Sequence, residues 1–356
     1  MSRATRTLRS AAELVAAGLL PASAEAMVAD VARRYAIAVT PAMADLIETE
    51  DAADPIAAQF LPRPGELLTT PDELADPIGD EAHSPVPGIV HRYPDRVLLK
   101  LLLACPVYCR FCFRRAMVGP GAPALPPEAV ERALAYIAAN PEIWEVILTG
   151  GDPLMLSARR LKDIVTHLAA IPHVKIIRLH SRVPAVAPER ITPALVAALR
   201  CQDAAVYVAL HANHALELTV EARAACARLV DAGIAMLGQT VLLKGVNDDA
   251  ETLAGLMRAF VETRIKPYYL HHPDLAPGTA HFRVALARGQ ELMRQLQGTL
   301  SGLCQPTYVL DIPGGFGKVP VGPAYLAGQE ATDLRLTDFN GQPHFYPPRS
   351  GPPLPR

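Results

Sequence analysis

Arg96-Val-Leu-Leu-Lys-Leu-Leu-Leu-Ala-Cys-Pro-Val-Tyr-Cys-Arg-Phe-Cys-Phe-Arg-Arg115 joins an apolar run to a cysteine triplet. The run 96–104 is short, leucine-rich and nearly uninterrupted, which predicts a buried strand. Cys105, Cys109 and Cys112 follow with C-x3-C-x2-C spacing. Three thiolates at a strand end are one short of the set for a tetrahedral metal or an iron–sulfur cube. An open coordination position marks chemistry more than structure. A zinc knuckle would need a fourth Cys or His close by, and none follows Cys112. A redox pair Cys109/Cys112 would leave Cys105 unexplained.

Outward from this strand, short β-rich runs alternate with helical stretches. Strands are expected at 97–103, 145–149, 175–180, 205–211, 234–243 and 265–270, with helices between them. Such a series predicts parallel strands with crossover helices. Polar residues sit at many strand ends: Cys105, Gly150-Gly151-Asp152, His180-Ser181-Arg182, His211-Ala-Asn213-His214, Lys244 and His271-His272-Pro-Asp274. An open doubly wound sheet would gather them near one switch point. Their spread favours a barrel or partial barrel, an α/β fold of the TIM-like kind. Residues 1–88 read as short helices followed by an irregular arm, 89–330 as the barrel, and 331–356 as a partly disordered tail, loose from about residue 339.

The chain has 356 residues, half of them apolar, and a net charge of −2. That is enough for a large core and gives no basic field for nucleic acid. Six cysteines, three of them crowded together, fit a reduced cytoplasmic protein better than a disulfide scaffold. Cys201, Cys226 and Cys304 are scattered and read as small core residues. Arg3, Arg6 and Arg9 before a partly apolar stretch imitate a signal peptide, but Glu13 interrupts it and Ser10 to Glu13 has capping-box spacing. No stretch is long and uncharged enough to span a membrane.

A second constellation closes the barrel region: Asp311-Ile-Pro-Gly-Gly-Phe-Gly-Lys318. A lysine behind glycines is usually a surface residue, yet this is also how a Schiff-base lysine can be presented. Gly150-Gly151-Asp152-Pro153 alone is a common turn.

The cysteine spacing at the end of a first strand resembles the radical S-adenosylmethionine (SAM) superfamily, in which the open iron chelates SAM. Gly150-Gly151-Asp152-Pro153, one β-α unit later, is similar to its glycine-rich segment beside the SAM amino group. Longer motifs resemble the lysine 2,3-aminomutase family within it. These are Ser84-Pro-Val-Pro-Gly-Ile-Val-His-Arg-Tyr-Pro-Asp-Arg96, Gln239-Thr-Val-Leu-Leu-Lys-Gly-Val-Asn-Asp248, Tyr268-Tyr-Leu-His-His-Pro-Asp-Leu275, His281-Phe-Arg283 and Pro306-Thr-Tyr-Val-Leu-Asp-Ile-Pro-Gly-Gly315. The likeness runs over residues 54–321.

The resemblance implies a partial (β/α)6 barrel that converts L-lysine to β-lysine with a [4Fe–4S] cluster, SAM and pyridoxal phosphate (PLP). Cys105, Cys109 and Cys112 would hold the cluster. Lys318 would hold PLP, with Arg92 and Arg96 near its phosphate and Tyr93 beside its ring. Gly150, Gly151, Asp152, His211 and Gln239 would complete the cofactor sites. Arg114 would grip the substrate carboxylate, and Asp274 and Asp311 its distal ammonium. Two anions in one closed site repel by a few kcal/mol at an effective dielectric near 20, so they call for a cation such as lysine's rather than a glutamate side chain. Phe316 stands where the lysine enzymes are expected to have glycine. An external electron donor, a link to elongation factor P, a homo-oligomer and, more distantly, a non-catalytic iron–sulfur protein stay open.

Overall fold

The computed structural model describes residues 4–51, 53–122, 124–330 and 333–347. Nine strands form one sheet in strict chain order. They are β1 (Ile89–Tyr93), β2 (Arg96–Leu102), β3 (Glu145–Gly150), β4 (Ile176–Ser181), β5 (Ala205–His211), β6 (Ala235–Val241), β7 (Lys266–His271), β8 (Thr307–Ile312) and β9 (Gly317–Pro320). From β3 to β8 each strand runs parallel to the one before it. Antiparallel hairpins, β1 with β2 and β8 with β9, finish the two edges. The result is the expected barrel-like α/β sheet.

Alternation along each strand separates the two faces. On β4, Ile177 and Leu179 enter the apolar core, while Arg178 reaches across to Glu145 of β3 and the Tyr268 ring of β7. The helices Ala158–Ala169, Pro193–Leu199, Val220–Asp231 and Ala250–Glu262 are capped at their starts by Ser157, Thr192, Thr219 and Asp249. Each cap follows a strand's C-terminal end, so the capping loops ring the face where the polar strand ends collect.

The N-terminal part folds as the helices Ala11–Ala16, Glu25–Arg34, Pro41–Leu46 and Pro55–Phe60. Ser10 Oγ accepts the Glu13 N–H at 3.2 Å, the cap expected there. The arm that follows is mostly irregular but firmly packed: Glu66 and Asp80 are both buried.

Two expectations change. Residues 311–318 are a hairpin rather than a free glycine loop, and Lys318 sits on β9 opposite Asp311 of β8. Beyond β9 the chain adds an antiparallel meander: β10 (Leu326–Glu330), just before the expected tail, and β11 (Asp333–Thr337) and β12 (Pro343–Tyr346), within it. The remainder of that expected tail, 348–356, lies outside the described residues. Among the described residues no helix is long and apolar enough to cross a membrane.

Candidate functional site

The cysteine loop is built on buried charge. Glu66, fully buried in the arm, accepts from Arg110 Nε at 2.9 Å and is ion-paired to both Arg110 and Arg115. Arg110 also donates to Ala36 O at 2.8 Å, and Arg115 to Arg110 O at 2.8 Å and Gly278 O at 3.0 Å. These bonds fix the backbone on both sides of Cys112. Arg182, just past β4, donates to Cys109 Sγ at 2.9 Å and to Gln59 Oε1 at 2.9 Å, and pairs with Glu217.

The three thiols share one loop, and all are unbridged. Burial first, then the charges of Asp152, Cys112 and Cys109, pushes the Cys105 thiol well up. Cys112 is pushed up to about 11, chiefly by burial. Bound iron favours the thiolate and reverses that bias. Among the described residues, no three His, Cys, Asp or Glu side chains gather as ligands of a single ion. The sulfur-only donor set beside the Arg182 cation fits the cluster.

Gly150 and Gly151 have a structural reason to be glycine. Gly150 has φ +102°, and a Cβ on Gly151 would run into the backbone of Ala104. The pair therefore lets the end of β3 press against the residue before Cys105. Asp152, read from sequence as cofactor-binding, has both carboxylate oxygens engaged by the chain itself. It accepts from Leu154 N at 3.0 Å, Ser181 Oγ at 2.8 Å, Arg182 N at 2.7 Å and Val183 N at 3.2 Å. These bonds hold the loop that carries Arg182. Next to them, His211 and Gln239 are register partners on β5 and β6. Burial and the Arg182 charge push the His211 pKa down to about 3, so it is neutral.

An alternating chain of charges crosses the site. Arg114 donates to Asp80 Oδ2 at 2.8 Å. Asp80 Oδ1 lies 3.4 Å from Arg92, whose other amino group is 3.7 Å from Asp311 Oδ1. Asp311 is paired with Lys318. Lys100 stands 3.8 Å from Asp80. Tyr93 OH accepts the backbone N–H of Lys318 at 2.6 Å. Burial, then the Asp311 charge, pushes the Asp274 carboxyl up to about 7. Thus Arg92, Arg114, Tyr93, Lys318, Asp274 and Asp311 come together as expected. Arg96 pairs with Asp95 and lies over the Tyr93 ring at 3.9 Å. Four cations, Arg92, Lys100, Arg114 and Lys318, face three carboxylates, one of which titrates near neutrality. Among the described residues, the buried Arg92 Nε has no hydrogen-bond partner. An excess of positive charge with an unpartnered guanidinium nitrogen suits an anionic cofactor such as PLP and a substrate carboxylate.

Sequence reading missed Asp80, Glu66, Gln59 and Glu217, which lie outside the strand-end pattern. His180 and His271 were seen only as strand-end residues. Here His271 Nδ1 is 3.3 Å from Lys318 Nζ, and burial drives both histidines well below their usual pKa.

The sequence matches the radical SAM superfamily over residues 99–257 and the lysine-2,3-aminomutase family over residues 293–350. It is 41% identical to L-lysine 2,3-aminomutase of Clostridium subterminale over 88% of this chain and 75% of that protein. The chain belongs to the lysine 2,3-aminomutase family. Two further relatives are similar to this chain. L-lysine 2,3-aminomutase of Escherichia coli (strain K12) is 39% identical over 81% of this chain and 83% of its own length. Glutamate 2,3-aminomutase of Clostridioides difficile (strain 630) is 35% identical over 88% and 74%. Membership in this family of radical SAM isomerases implies a [4Fe–4S] cluster, SAM and PLP as cofactors.

Proposed function

We propose that this chain moves the α-amino nitrogen of L-lysine to carbon 3, giving β-lysine. The observation that carries the reading is the pairing of a cationic end, Arg114, with an anionic end, Asp311 beside Asp274, in one site with Lys318. Lysine has the complementary charges at its two ends. Glutamate would bring a third carboxylate against two others, at a cost of a few kcal/mol at an effective dielectric near 20.

Cys105, Cys109 and Cys112 would hold the cluster, and Gly150, Gly151, His211 and Gln239 would line the SAM side. Lys318, Arg92 and Tyr93 would hold PLP, with Arg96 near its phosphate. When bound, the cluster with SAM supplies a hydrogen-abstracting radical, and PLP supplies a carrier for the migrating nitrogen. The chain's own part is orientation. Arg114 fixes the carboxylate, and Asp274 and Asp311 fix the distal ammonium, so one hydrogen of carbon 3 is presented. The neutral histidines His180, His211 and His271 line the space without adding charge.

The test is anaerobic conversion of L-lysine by protein reconstituted with iron, sulfide, SAM, PLP and a reductant, with chiral analysis of the product. Turnover of glutamate or arginine but not lysine would sink the reading. Cys112-Phe-Arg-Arg115 resembles the short relatives that supply β-lysine for elongation factor P, and (R)-β-lysine as product would favour that destination. A cytoplasmic setting with an external electron donor follows from a reduced, oxygen-sensitive cluster.

A further inference from the structure

Asp80 has no place in the function as read above, yet it is the most connected carboxylate in the site. Its side chain is 7% exposed and within ion-pair reach of Arg114, Arg92 and Lys100. Its backbone is pinned as well. The Asp80 N–H donates to Asp76 Oδ1 at 2.9 Å, and Ser84 Oγ donates to Asp80 O at 2.8 Å. The preceding Gly79, at φ +68°, lies so close to the Lys318 hairpin that a Cβ there would stand 2.5 Å from Gly315 N. His83 Nε2 meets Gly315 O at 3.2 Å. A residue held this tightly, on a segment wedged against the hairpin tip, can fix the positions of its partners.

We propose that Asp80 is a positioning residue for the substrate carboxylate, resting on the lysine reading above. One of its oxygens takes the Nε and Nη2 edge of Arg114, at 3.3 and 2.8 Å. A guanidinium has five donors in a rigid fork, so engaging one edge orients the others. The other oxygen faces Arg92, which continues to Asp311. Asp80 thus ties the group that grips the carboxylate to the group that grips the ammonium, and sets the distance between them. Left unheld, Arg114 would swing on a flexible side chain and bind the carboxylate in many poses.

The experiment is a lysine titration of holoenzyme reconstituted with cluster, SAM and PLP, followed by the visible absorbance of PLP, for wild type, Asp80→Asn, Arg114→Gln and the double variant. Asp80→Asn is expected to raise the Kd for lysine at least tenfold. In the Arg114→Gln background the same change should cost less than twofold, because its route runs through Arg114. Iron and PLP content report separately on folding. Asp80→Glu keeps the buried charge but lengthens the side chain, and is expected to weaken lysine about fivefold. Equal Kd values for wild type and Asp80→Glu, or additive effects in the double variant, would overturn the proposal. A wild-type protein blind to lysine would remove the lysine reading itself, and the assignment of Asp80 with it; lysine binding that ignores Asp80 would remove only the latter.

Discussion

Lys318 faces Asp311 across the β8–β9 ladder, and its ammonium is ion-paired to that carboxylate. The antiparallel register puts them opposite each other, so the pairing is built into the hairpin. It means that Asp311 is not a bare anion in the free chain. In the free chain Lys318 neutralises it, and in the proposed complex the substrate's distal ammonium takes that role. One cation replaces another, which keeps the electrostatic cost of loading small.

Replacing Lys318 therefore has two separable effects. Lys318→Ala should abolish turnover, by at least ~1000-fold or roughly 4 kcal/mol of barrier, and remove the visible absorbance of lysine-held PLP. Lys318→Arg keeps a cation against Asp311 but offers no amine for a covalent link. It should restore the melting temperature and leave PLP unattached. Retention of lysine-held PLP absorbance in either variant would mean that another residue carries the cofactor.

Asp274 should make lysine binding depend on pH. Its carboxyl titrates at about 7 in the folded chain against an ordinary value of 3.8. Between those values the folded chain holds a proton that the unfolded chain has released. Stability from this group is therefore present below that window and is lost as pH rises through about 7. Lysine's ammonium wants the charged form, so its KM should fall about tenfold per unit as pH rises toward 7, then level off. Asp274→Asn should raise KM and flatten that profile. Parallel profiles for the two proteins would show that another group is responsible.

The barrel was legible because its signals are local. Runs of alternating or continuous apolar residues followed by polar strand ends name the strands, from Val97 to Leu270, and the face on which chemistry collects. Most residues of the candidate site lie on those strand ends or beside them. Glu66, Asp80 and Glu217 were not legible. Each is a single carboxylate in or beside a short 3-10 turn, and its meaning comes from arginines far along the chain, as with Asp80 and Arg114 or Glu217 and Arg182. The β10–β12 meander escaped for a different reason: its strands are only four or five residues long and followed by a proline-rich end, so the alternation of Leu334 and Leu336 is too brief to stand out.

Glu66 tests the value of such a carboxylate. Its removal leaves Arg110 and Arg115 buried without their counter-ion. Breaking a buried pair from one side costs about 3–5 kcal/mol. Glu66→Gln should lower the melting temperature markedly and reduce iron bound per chain, since both arginines brace the cysteine loop. Unchanged iron content with a normal melting curve would show that the loop holds itself.

Gly151 offers a narrower probe of the same loop. A methyl group there must displace the backbone of Ala104, the residue before Cys105. Overpacking of this kind costs about 1–3 kcal/mol, and its strain falls on the first cluster ligand. Gly151→Ala should therefore lose iron and SAM affinity out of proportion to its loss of stability. Gly255, inside the helix Ala250–Glu262, has open space where its Cβ would stand. Gly255→Ala should stabilise by up to about 1 kcal/mol, the gap in helix propensity between the two residues. With iron content and melting temperature measured on both variants, an effect of Gly151→Ala on stability alone would detach the glycine pair from the cluster. A fall in bound iron at unchanged secondary structure would tie the two together.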